Sequence, residues 1–371
     1  MKVLYLSKAL VVAAYRDKLN ALAREADVVA VAPRRWGAHA AEPATPGAAT
    51  LRLRRAWLHG RNHLHGYPGL GGLLDRERPD LVHVDEEPYS LVTFQAVRLC
   101  RARGIPALFF AWQNLDKSPP PPFGALRRSV FSSVAGGIAG TESAARVLRE
   151  AGFTGPLAVV PQFGVDERTF HCDPRARCRG RRELGLEDSD FLVGFGGRLV
   201  PEKGVHLLVR AVATLPGVHL SLAGEGPERE RLARLAREMG AADRIHFRGH
   251  LPSAVMPAWL AALDVLALAS LATPRWSEQF GRILVEAMAC SVPVVASRSG
   301  EMEQVVGDAG VLVPEGDEPA LRAALERLAA DPGARRRLAD AGRERVLAHF
   351  TQTRIATETL CFYRQILAAR P

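Results

Sequence analysis

Residues 278–297 read EQFGRILVEAMACSVPVVAS, a polar start followed by helical spacing and then a run of small and β-branched residues. Glu278 and Glu286 stand on either side of a Phe-Gly step. Two turns of an α-helix bring a side chain back to within about 80° of its starting direction. If the helix begins near Phe280, Glu286 points along it toward the end where Glu278 lies. The stretch therefore predicts a polar ligand at a helix N-terminus, next to a buried strand.

The same alternation of apolar runs and helical segments extends along the whole chain. Two series of strands are predicted, at residues 2–6, 27–32, 81–85, 107–112, 136–141 and 157–162, and at residues 191–197, 219–224, 245–249, 265–270, 293–297 and 309–314. Strands that alternate with helices indicate parallel sheets covered on both faces. A chain of 371 residues also exceeds the roughly 250–300 residues of a single core. The sequence therefore predicts two Rossmann-like, doubly wound α/β domains.

The domain limits follow from where this pattern stops. Residues 1–165 and 191–350 are the predicted domains, and residues 166–190 are polar and poor in pattern, which is typical of a linker. Residues 351–371 are predicted to form one long terminal helix. Ligands of open parallel sheets bind at the carboxyl ends of the strands. We therefore expect two domains that face each other across a cleft, with the site between them.

Composition excludes several classes of protein. The five cysteines form no C-x-x-C pair, which fits a reduced, cytoplasmic setting. Charged residues interrupt the N-terminal apolar stretch, so we expect neither export nor a membrane span. The net charge is +9, and residues 1–165 carry most of it, with 21 Lys and Arg against 13 Asp and Glu. No nucleic-acid-binding motif accompanies this charge, so an anionic membrane or a phosphorylated substrate fits better than nucleic acid.

A second motif, GFGGRLVPEKGVHLL at residues 194–208, combines a strand end, a glycine-rich turn and a helix start. Glycines let a backbone approach an anion, and Arg198 and Lys203 could neutralise a diphosphate. Leu199 occupies the third glycine position of a dinucleotide-binding fingerprint, which excludes that motif. A tight turn with two surface cations is the alternative interpretation for the stretch alone.

Three stretches together, GRLVPEKGVHLL (197–208), LAGEGPERERL (222–232) and SEQFGRILVEAMACSVPVVAS (277–297), resemble the donor-binding domain of retaining glycosyltransferases of family 4. That family has the GT-B fold. The resemblance covers residues 190–350 strongly, and the first half only by architecture, by VHVDEEPYSL (82–91) and by the final helix, which in this family crosses back to the first domain. It implies transfer of a sugar from a UDP- or GDP-sugar to a hydroxyl acceptor, with retention and without a metal or other cofactor.

The resemblance also implies roles for individual residues. Glu278 would accept hydrogen bonds from the transferred sugar, and Glu286 would hold the ribose hydroxyls. The backbone N–H groups of Phe280 and Gly281 would face sugar and phosphate. The diphosphate would be bound by Arg198 and Lys203 in the turn that contains Gly197. Leu251 and its neighbours are expected to line the base.

The acceptor side shows departures from the family. The first loop, residues 7–15, lacks the usual glycine pair, and Trp112, Gln113 and Asn114 stand where many members have a histidine. The acids of DEEPYS, of which Asp85 and Glu86 come first, follow a predicted strand and could bind an acceptor sugar. Capping of the next helix is the alternative role for these acids.

Two patterns suggest a metal site only superficially. Asp188 and Asp190 form D-S-D, but this pair lies in the predicted linker. His59, His63 and His65 are predicted to be solvated residues of a loop. We therefore expect no metal site.

The segment that contains these histidines also carries cations beside an aromatic ring, namely Arg52, Arg54, Arg55, Trp57 and Arg61. Such a segment could contact the inner face of an anionic membrane and receive a lipid-linked acceptor there. The acceptor classes we expect are a glycan, a glycolipid or a small molecule. The alternatives to a transferase are a nucleotide-sugar epimerase, a phosphorylase, and a degenerate protein that binds a nucleotide sugar without catalysis.

Overall fold

The structure is a computed structural model. It describes residues 1–43, 47, 49–115, 117, 119–187 and 189–369. The chain divides into two compact units, of which the first comprises Met1–Gly164 and Gln352–Pro371 and the second comprises Val165–Thr351. Each unit is built on a parallel sheet.

The first unit contains a parallel sheet and a short antiparallel pair. In chain order its strands are β1 (Lys2–Leu6), β2 (Asp27–Pro33), β3 (Arg35–Trp36), β4 (His39–Ala40), β5 (Thr50–Arg54), β6 (Leu81–Val84), β7 (Ala107–Ala111), β8 (Gly136–Ala139) and β9 (Leu157–Val159). The order across the parallel sheet is β5-β2-β1-β6-β7-β8-β9, and β3 pairs with β4. The strands predicted in this half are all present, although those that follow β6 end one to three residues earlier than predicted.

Helices cover both faces of this sheet, so its central strands are buried on both sides. Up to residue 164 the helices are α1 (Asp17–Leu22), α2 (Leu70–Glu77), α3 (Leu91–Arg101), α4 (Phe123–Phe131) and α5 (Glu142–Glu150). In β1, Leu4 and Leu6 join one hydrophobic cluster while Val3 and Tyr5 join the other, because successive side chains of a strand point to opposite faces. Burial on both faces explains why these strands are continuous apolar runs.

Strand β5 is a correction to the predicted arginine-rich loop. It pairs in parallel with β2 at the edge of the sheet, so Arg52 and Arg54 lie in a strand. Arg52 forms an ion pair with Glu77, and of the other residues of the strand Leu53 is exposed while Thr50, Leu51 and Arg54 are partly buried. An edge strand needs no continuous apolar run, so the alternation of Leu and Arg in TLRLR was sufficient for pairing.

The second unit repeats the plan with a parallel sheet in the order β12-β11-β10-β13-β14-β15. Its strands are β10 (Phe191–Gly196), β11 (Val218–Ala223), β12 (Ile245–Gly249), β13 (Val265–Leu268), β14 (Val294–Ser297) and β15 (Val311–Val313). Its helices are α6 (Pro174–Glu183), α7 (Val205–Ala213), α8 (Arg229–Glu238), α9 (Met256–Ala261), α10 (Arg282–Ala289), α11 (Met302–Val306), α12 (Glu318–Ala330) and α13 (Pro332–His349). All of the predicted strands are again present, with small shifts at their ends.

The predicted linker, residues 166–190, is part of the second unit and contains α6. Asp173 caps this helix by accepting the backbone N–H groups of Arg175 and Ala176. Arg181, which is buried, pairs with Asp264 just before β13. The linker prediction failed because an arginine-rich helix can be held by ion pairs to a distant acid, and such pairs leave no apolar pattern in the sequence.

The terminal helix, α14 (Gln352–Ala368), packs against the first unit. Its Ile355, Leu360 and Ile366 belong to one of the two hydrophobic clusters of that unit. Tyr363 from the same helix hydrogen-bonds through its hydroxyl to Nδ1 of the buried His83 in β6, at 2.5 Å. Among the described residues, no helix has the length and apolar character needed to cross a bilayer.

Candidate active site

A cavity of about 580 Å³ lies in the second unit, within the size range of small-molecule sites. Its walls come from the segments that follow β10, β11 and β12, from the end of β13, and from α10 and the residues before it. Most of the predicted donor-binding residues line it, namely Gly197, Arg198, Lys203, Leu251, Glu278, Gly281 and Glu286. The carboxyl ends of these parallel strands are where an open α/β sheet binds its ligands.

Close backbone packing shapes the floor of this cavity. A Cβ atom at Gly224 would lie 1.8 Å from the carbonyl oxygen of Gly197, and one at Gly226 would lie 2.2 Å from that of Leu199. Gly224 and Gly226 also have φ values of 148° and 158°, which L side chains rarely adopt. The glycines of LAGEGP therefore let the loop after β11 press against the loop after β10, and this contact fixes the turn that carries Arg198.

Lys203 ends a 3₁₀ turn, Pro201–Lys203, that follows β10. The next residue, Gly204, has φ 61°, and a Cβ atom there would lie 1.9 Å from the carbonyl oxygen of Ala269. Only glycine fits this position, so the Lys-Gly step sets the direction from which the lysine side chain enters the cavity. Arg198, by contrast, is exposed at the cavity wall.

Lys203 and Glu278 are paired with each other. Lys203 Nζ donates to Glu278 Oε2 at 2.5 Å, and the two side chains are only 15% and 10% exposed. The hydroxyl of Ser270 donates to the same carboxylate oxygen at 2.9 Å. The ring of Trp276 lies over the lysine, with its centroid 5.1 Å from Nζ. The cation and the acid that the sequence assigns to different parts of a donor thus form one buried ion pair.

Helix α10 begins at Arg282, two residues later than predicted. Its N-cap is Gly281, whose φ of 70° places it in the left-handed region. The side chain of Phe280 is buried and meets Phe350 edge-on, and Phe280 is absent from the described residues that line the cavity. The helix N-terminus therefore reaches the cavity through Gly281, and the role of the backbone N–H of Phe280 stays a prediction.

Glu286 lies in the second turn of α10 and is buried. Arg282, one turn earlier, donates from Nε to its Oε1 at 2.7 Å. Burial raises the pKa of the Glu286 carboxyl, and the charge and hydrogen bond of Arg282 oppose that shift. Glu286 thus has its own cation on its own helix, separate from the pair formed by Lys203 and Glu278.

Several lining residues were missed from the sequence. They include Phe170, Glu225 and Arg282, whereas His250 and Ser253 lie beside Leu251 in the loop that was expected to line the base. Phe170 comes from the predicted linker, and its contribution could not be foreseen once that segment was taken as unstructured. Arg282 could have been found, because a spacing of four residues places it beside Glu286 on a helix.

A second polar cluster lies in the first unit, where three acids follow β6. Asp85 accepts a hydrogen bond from Gln162 Nε2 at 2.6 Å. Glu86 accepts the backbone N–H of Lys8 at 3.1 Å and pairs with its ammonium group. The nearby His65 has Nε2 3.8 Å from Glu86 Oε1. Lys8, His65 and Gln162 were not predicted, because the sequence gives no sign that they meet these acids.

The third acid of this cluster, Glu87, joins two strand ends. Its Oε1 accepts the backbone N–H groups of Trp112 and Gln113, at 2.8 and 3.1 Å. Burial raises the pKa of Glu87 to about 7, although these two hydrogen bonds oppose the shift. Asp85, Glu86, Trp112, Gln113 and the half-buried Asn114 therefore lie in the segments that follow the neighbouring strands β6 and β7. None of these acids is the N-cap of α3, which is Ser90, and none lies in the first turn of that helix.

The histidines predicted to be solvated behave differently from one another. His59 is exposed, whereas Nδ1 of His63 pairs with the hydroxyl of Ser90 at 3.0 Å and His65 is fully buried against Trp36. Burial lowers the pKa of His63 to about 4 and that of His65 to about 3. The prediction of solvation is thus wrong for His65.

The part of the chain that the structure describes lacks the geometry of a metal site. No group of three or more His, Cys, Asp or Glu side chains there could hold a metal ion. Of the D-S-D pair, Asp188 lies outside the described residues. Asp190 accepts the backbone N–H of Glu187 at 2.8 Å.

Two family descriptions match successive parts of the chain. "Glycosyl transferase 4-like domain" matches residues 11–162, and "Glycosyl transferases group 1" matches residues 178–345. The first of these ranges lies in the first unit, and the second contains the donor-site motifs and the cavity.

Two curated relatives are similar to the chain in amino-acid sequence. The lipopolysaccharide core biosynthesis glycosyltransferase LpsE of Rhizobium meliloti is 32% identical over 247 residues, which cover 66% of this chain and 67% of that protein. A GDP-mannose-dependent alpha-(1-6)-phosphatidylinositol monomannoside mannosyltransferase of Mycolicibacterium smegmatis is 37% identical over 205 residues, 53% of each chain. With this second relative, the match spans only about half of its length.

Solved structures share the fold over nearly the whole chain. Sucrose-phosphate synthase from Thermosynechococcus elongatus matches with a TM-score of 0.78 and 21% identity over 100% of both chains. Anabaena HepE in complex with UDP matches with a TM-score of 0.77 and 20% identity over 98% of this chain and 100% of that one. At these identities the likeness shows the fold. The two family matches and the 32% identity to LpsE place this chain in the glycosyl transferases group 1 family, whose members are glycosyltransferases with the GT-B fold.

Proposed function

We propose that this protein transfers a sugar from a UDP- or GDP-sugar to a hydroxyl acceptor, with retention at the anomeric carbon and without a metal ion. The observation that supports the proposal most is the convergence of Arg198, Lys203, Glu278 and the N-terminus of α10 on one cavity. The names of similar proteins add support, since one relative is GDP-mannose-dependent and HepE was solved with UDP.

The diphosphate would lie between the cations and the start of α10. Arg198 and Lys203 supply positive charge, and the helix N-terminus at Gly281 offers backbone N–H groups and the positive end of the helix dipole. Negative charge grows on the leaving diphosphate as the glycosidic bond breaks. Groups aimed at that charge stabilise the transition state more than the ground state, so they would raise the rate as well as the affinity.

The other ends of the donor would be held by the two acids and by Leu251. Glu278 would accept hydrogen bonds from hydroxyls of the transferred sugar. Glu286 would accept those from the ribose, while its partner Arg282 opposes the rise that burial causes in the pKa of this carboxyl. Leu251 follows β12 at the cavity wall and would pack against the base. This division of roles would put the phosphate groups near Lys203 and the hydroxyl groups of the transferred sugar near Glu278.

Retention is proposed to occur by attack from the face that the leaving group vacates. The acceptor oxygen forms a bond to the anomeric carbon as the bond from that carbon to the phosphate oxygen breaks. The departing phosphate takes the acceptor proton, so no side chain has to act as base. A double displacement would instead need a carboxylate nucleophile close to the anomeric carbon, and neither proposed carboxylate role provides one.

The acceptor is proposed to meet the polar cluster of the first unit. Asp85, Glu86, Trp112, Gln113 and Asn114 lie just beyond β6 and β7, the edge of a parallel sheet that binds ligands. Their carboxylates already accept internal hydrogen bonds, which would hold the cluster in place for hydroxyl groups of a glycan or a lipid-linked sugar.

An anionic membrane is the proposed location of a lipid-linked acceptor. After β5, the side chains of Trp57 and Leu58 are 57% and 52% exposed. Arg55 and Arg61 are exposed beside them. Aromatic and cationic side chains side by side are typical of segments that rest on anionic lipid. Co-sedimentation should be stronger with vesicles that contain anionic lipid than with neutral ones, and equal binding to both would contradict this part of the proposal.

The donor site is tested by thermal unfolding with nucleotides. UDP, GDP, ADP, dTDP and their common sugar conjugates are added to the wild type and to Lys203→Ala, with EDTA present. A ligand at about 100 times its dissociation constant stabilises the folded state by about 2.7 kcal/mol, which gives a clear shift. We expect one base to raise the unfolding temperature in the wild type, and the shift to be smaller in Lys203→Ala. No shift with any nucleotide would reject the donor site.

The reaction itself is tested with the nucleotide sugar that this panel selects. The anomeric configuration of a new product is read by proton NMR, and retention with full activity in EDTA is the expected result. Inversion would reject the proposed stereochemistry, and loss of activity in EDTA would reject metal independence. Conversion of the nucleotide sugar to an epimer would indicate an epimerase, and binding without any turnover would indicate a non-catalytic protein.

A further inference from the structure

The pairing of Lys203 with Glu278 has a consequence for how the cavity distinguishes its ligands. Both side chains are largely buried and 2.5 Å apart, and Ser270 and Trp276 hold them in place. A buried ion pair that loses one partner leaves an uncompensated charge, which is strongly unfavourable. Any ligand that draws Lys203 away from Glu278 must therefore offer the carboxylate something in return.

An intact donor and a spent nucleotide differ in this respect. The diphosphate of either one attracts Lys203. Only the intact donor also brings sugar hydroxyl groups, which can donate hydrogen bonds to Glu278 in place of the lysine ammonium. After transfer, the nucleoside diphosphate holds the lysine while the carboxylate has lost its cation and gained no sugar.

We propose that the ion pair between Lys203 and Glu278 is a discriminating element that weakens the binding of the nucleoside diphosphate product relative to the intact donor. The inference rests on the proposed function, because it assumes that the cavity binds a nucleotide sugar. In the reaction cycle, the pair opens when the donor binds and closes again after the sugar has left, which favours release of the product.

The second acid of the cavity does not share this property. Glu286 is paired with Arg282 on its own helix, at 2.7 Å and a spacing of four residues. A ligand that hydrogen-bonds to Glu286 leaves that pair intact. Discrimination between donor and product is therefore expected to depend on Glu278 alone of these two acids.

The test is titration calorimetry with UDP, GDP, UDP-glucose and GDP-mannose on the wild type and on Glu278→Gln. The glutamine keeps the shape of the side chain but cannot hold Lys203 by charge. The nucleoside diphosphate should bind about tenfold more tightly to Glu278→Gln, since a hydrogen bond between charged groups no longer competes for the lysine. The nucleotide sugar should gain nothing or bind more weakly. Glu286→Gln should not tighten binding of the diphosphate.

A double-mutant cycle separates the ion pair from simple repulsion between the carboxylate and the diphosphate. Repulsion would make Glu278→Gln tighten diphosphate binding even when the lysine is missing. The ion pair would make it tighten binding only when Lys203 is present. We therefore expect the gain to disappear in the Lys203→Ala background. A gain of equal size in both backgrounds would overturn the proposal, and so would the absence of any gain.

Two further variants guard against misfolding. Ser270→Ala removes the hydrogen bond from Ser270 to the carboxylate but leaves the ion pair, so it should not tighten binding of the diphosphate. Glu278→Ala also releases the lysine and must show the same gain as Glu278→Gln, which keeps the test decisive if one variant folds poorly. If the wild type binds none of the four nucleotides, the proposed function fails. If it binds them and the gain is absent, only this inference fails.

Discussion

Removal of the Asp264 carboxylate is expected to destabilise the second unit strongly. Asp264 accepts hydrogen bonds from Arg177 Nη2 at 2.5 Å, from Arg181 Nη1 at 2.9 Å and from the backbone N–H of Leu192 at 2.8 Å. The acid thus joins α6 to the start of β10, across the segment that the sequence suggested was a linker. Asp264→Ala removes all three interactions and leaves two cations behind.

The size of the effect depends mainly on Arg181. Its side chain is 4% exposed, whereas that of Arg177 is 37% exposed and can turn toward solvent. Arg181 Nη2 also donates hydrogen bonds to the carbonyl oxygens of Glu187 and Asp190, at 2.7 and 2.6 Å. These bonds prevent the guanidinium from moving easily into solvent. Breaking a buried pair by removing one partner costs about 3–5 kcal/mol. For a unit of this size, that loss lowers the unfolding temperature by about 10 °C.

Scanning calorimetry of the full chain measures this loss, because the two units can unfold in separate transitions. Arg231→Ala is the matched control, since it removes an ion pair with Glu228 in the same unit whose arginine is 58% exposed. Exposed pairs contribute about 0–1 kcal/mol, so the control should unfold close to the wild type. If Asp264→Ala unfolds like Arg231→Ala, α6 is not held by this acid, and residues 166–190 would behave as the linker first predicted.

Three further variants test other parts of the structure. Tyr363→Phe leaves Nδ1 of the buried His83 without its partner and should lower the free energy of unfolding by about 1–3 kcal/mol, as measured in urea. The raised pKa of Glu87, about 7 against an ordinary 4.5, means that the folded state binds more protons between these values. Stability from this group should therefore be greatest below pH 4.5 and fall as the pH rises through 7. Urea unfolding at pH 5 and pH 8 should show this fall in the wild type and a smaller fall in Glu87→Gln. Gly204→Ala places a Cβ atom against the carbonyl oxygen of Ala269 at positive φ, so it should lower both stability and nucleotide binding; wild-type values in calorimetry would contradict that clash.

The strand pattern and the donor motifs were predictable because both are local. Burial on both faces makes a strand a continuous apolar run, and a loop that approaches an anion needs its glycines and cations in one short stretch. Glu278 and Lys203 could therefore be expected at one site from GRLVPEKG and EQFGRILVE alone, and both line the same cavity. Their pairing could not be predicted, because the two residues are 75 positions apart and only the neighbouring positions of β10 and β13 bring them together.

The predictions that failed share a physical cause. Charged side chains, instead of apolar ones, make the contacts that hold these segments in place. Helix α6 is held by Arg181 and Asp264, and the edge strand β5 carries Arg52, whose partner Glu77 ends α2. His65 is buried with Glu86 close by, although a histidine-rich loop suggests solvent. In each case the partner lies far away in the sequence, so hydrophobic periodicity gives no signal.

The two units place a lysine and an acid at equivalent points of their sheets. Lys8 follows β1 and pairs with Glu86, which follows the neighbouring strand β6; Lys203 follows β10 and pairs with Glu278, which follows the neighbouring strand β13. These strands lie where the order of each sheet reverses, the point at which such sheets bind ligands. Without a ligand, each pair neutralises the charges there. If these points bind ligands as proposed, a ligand exchanges internal partners for its own, so the pairs would contribute more to the choice between similar ligands than to the strength of binding.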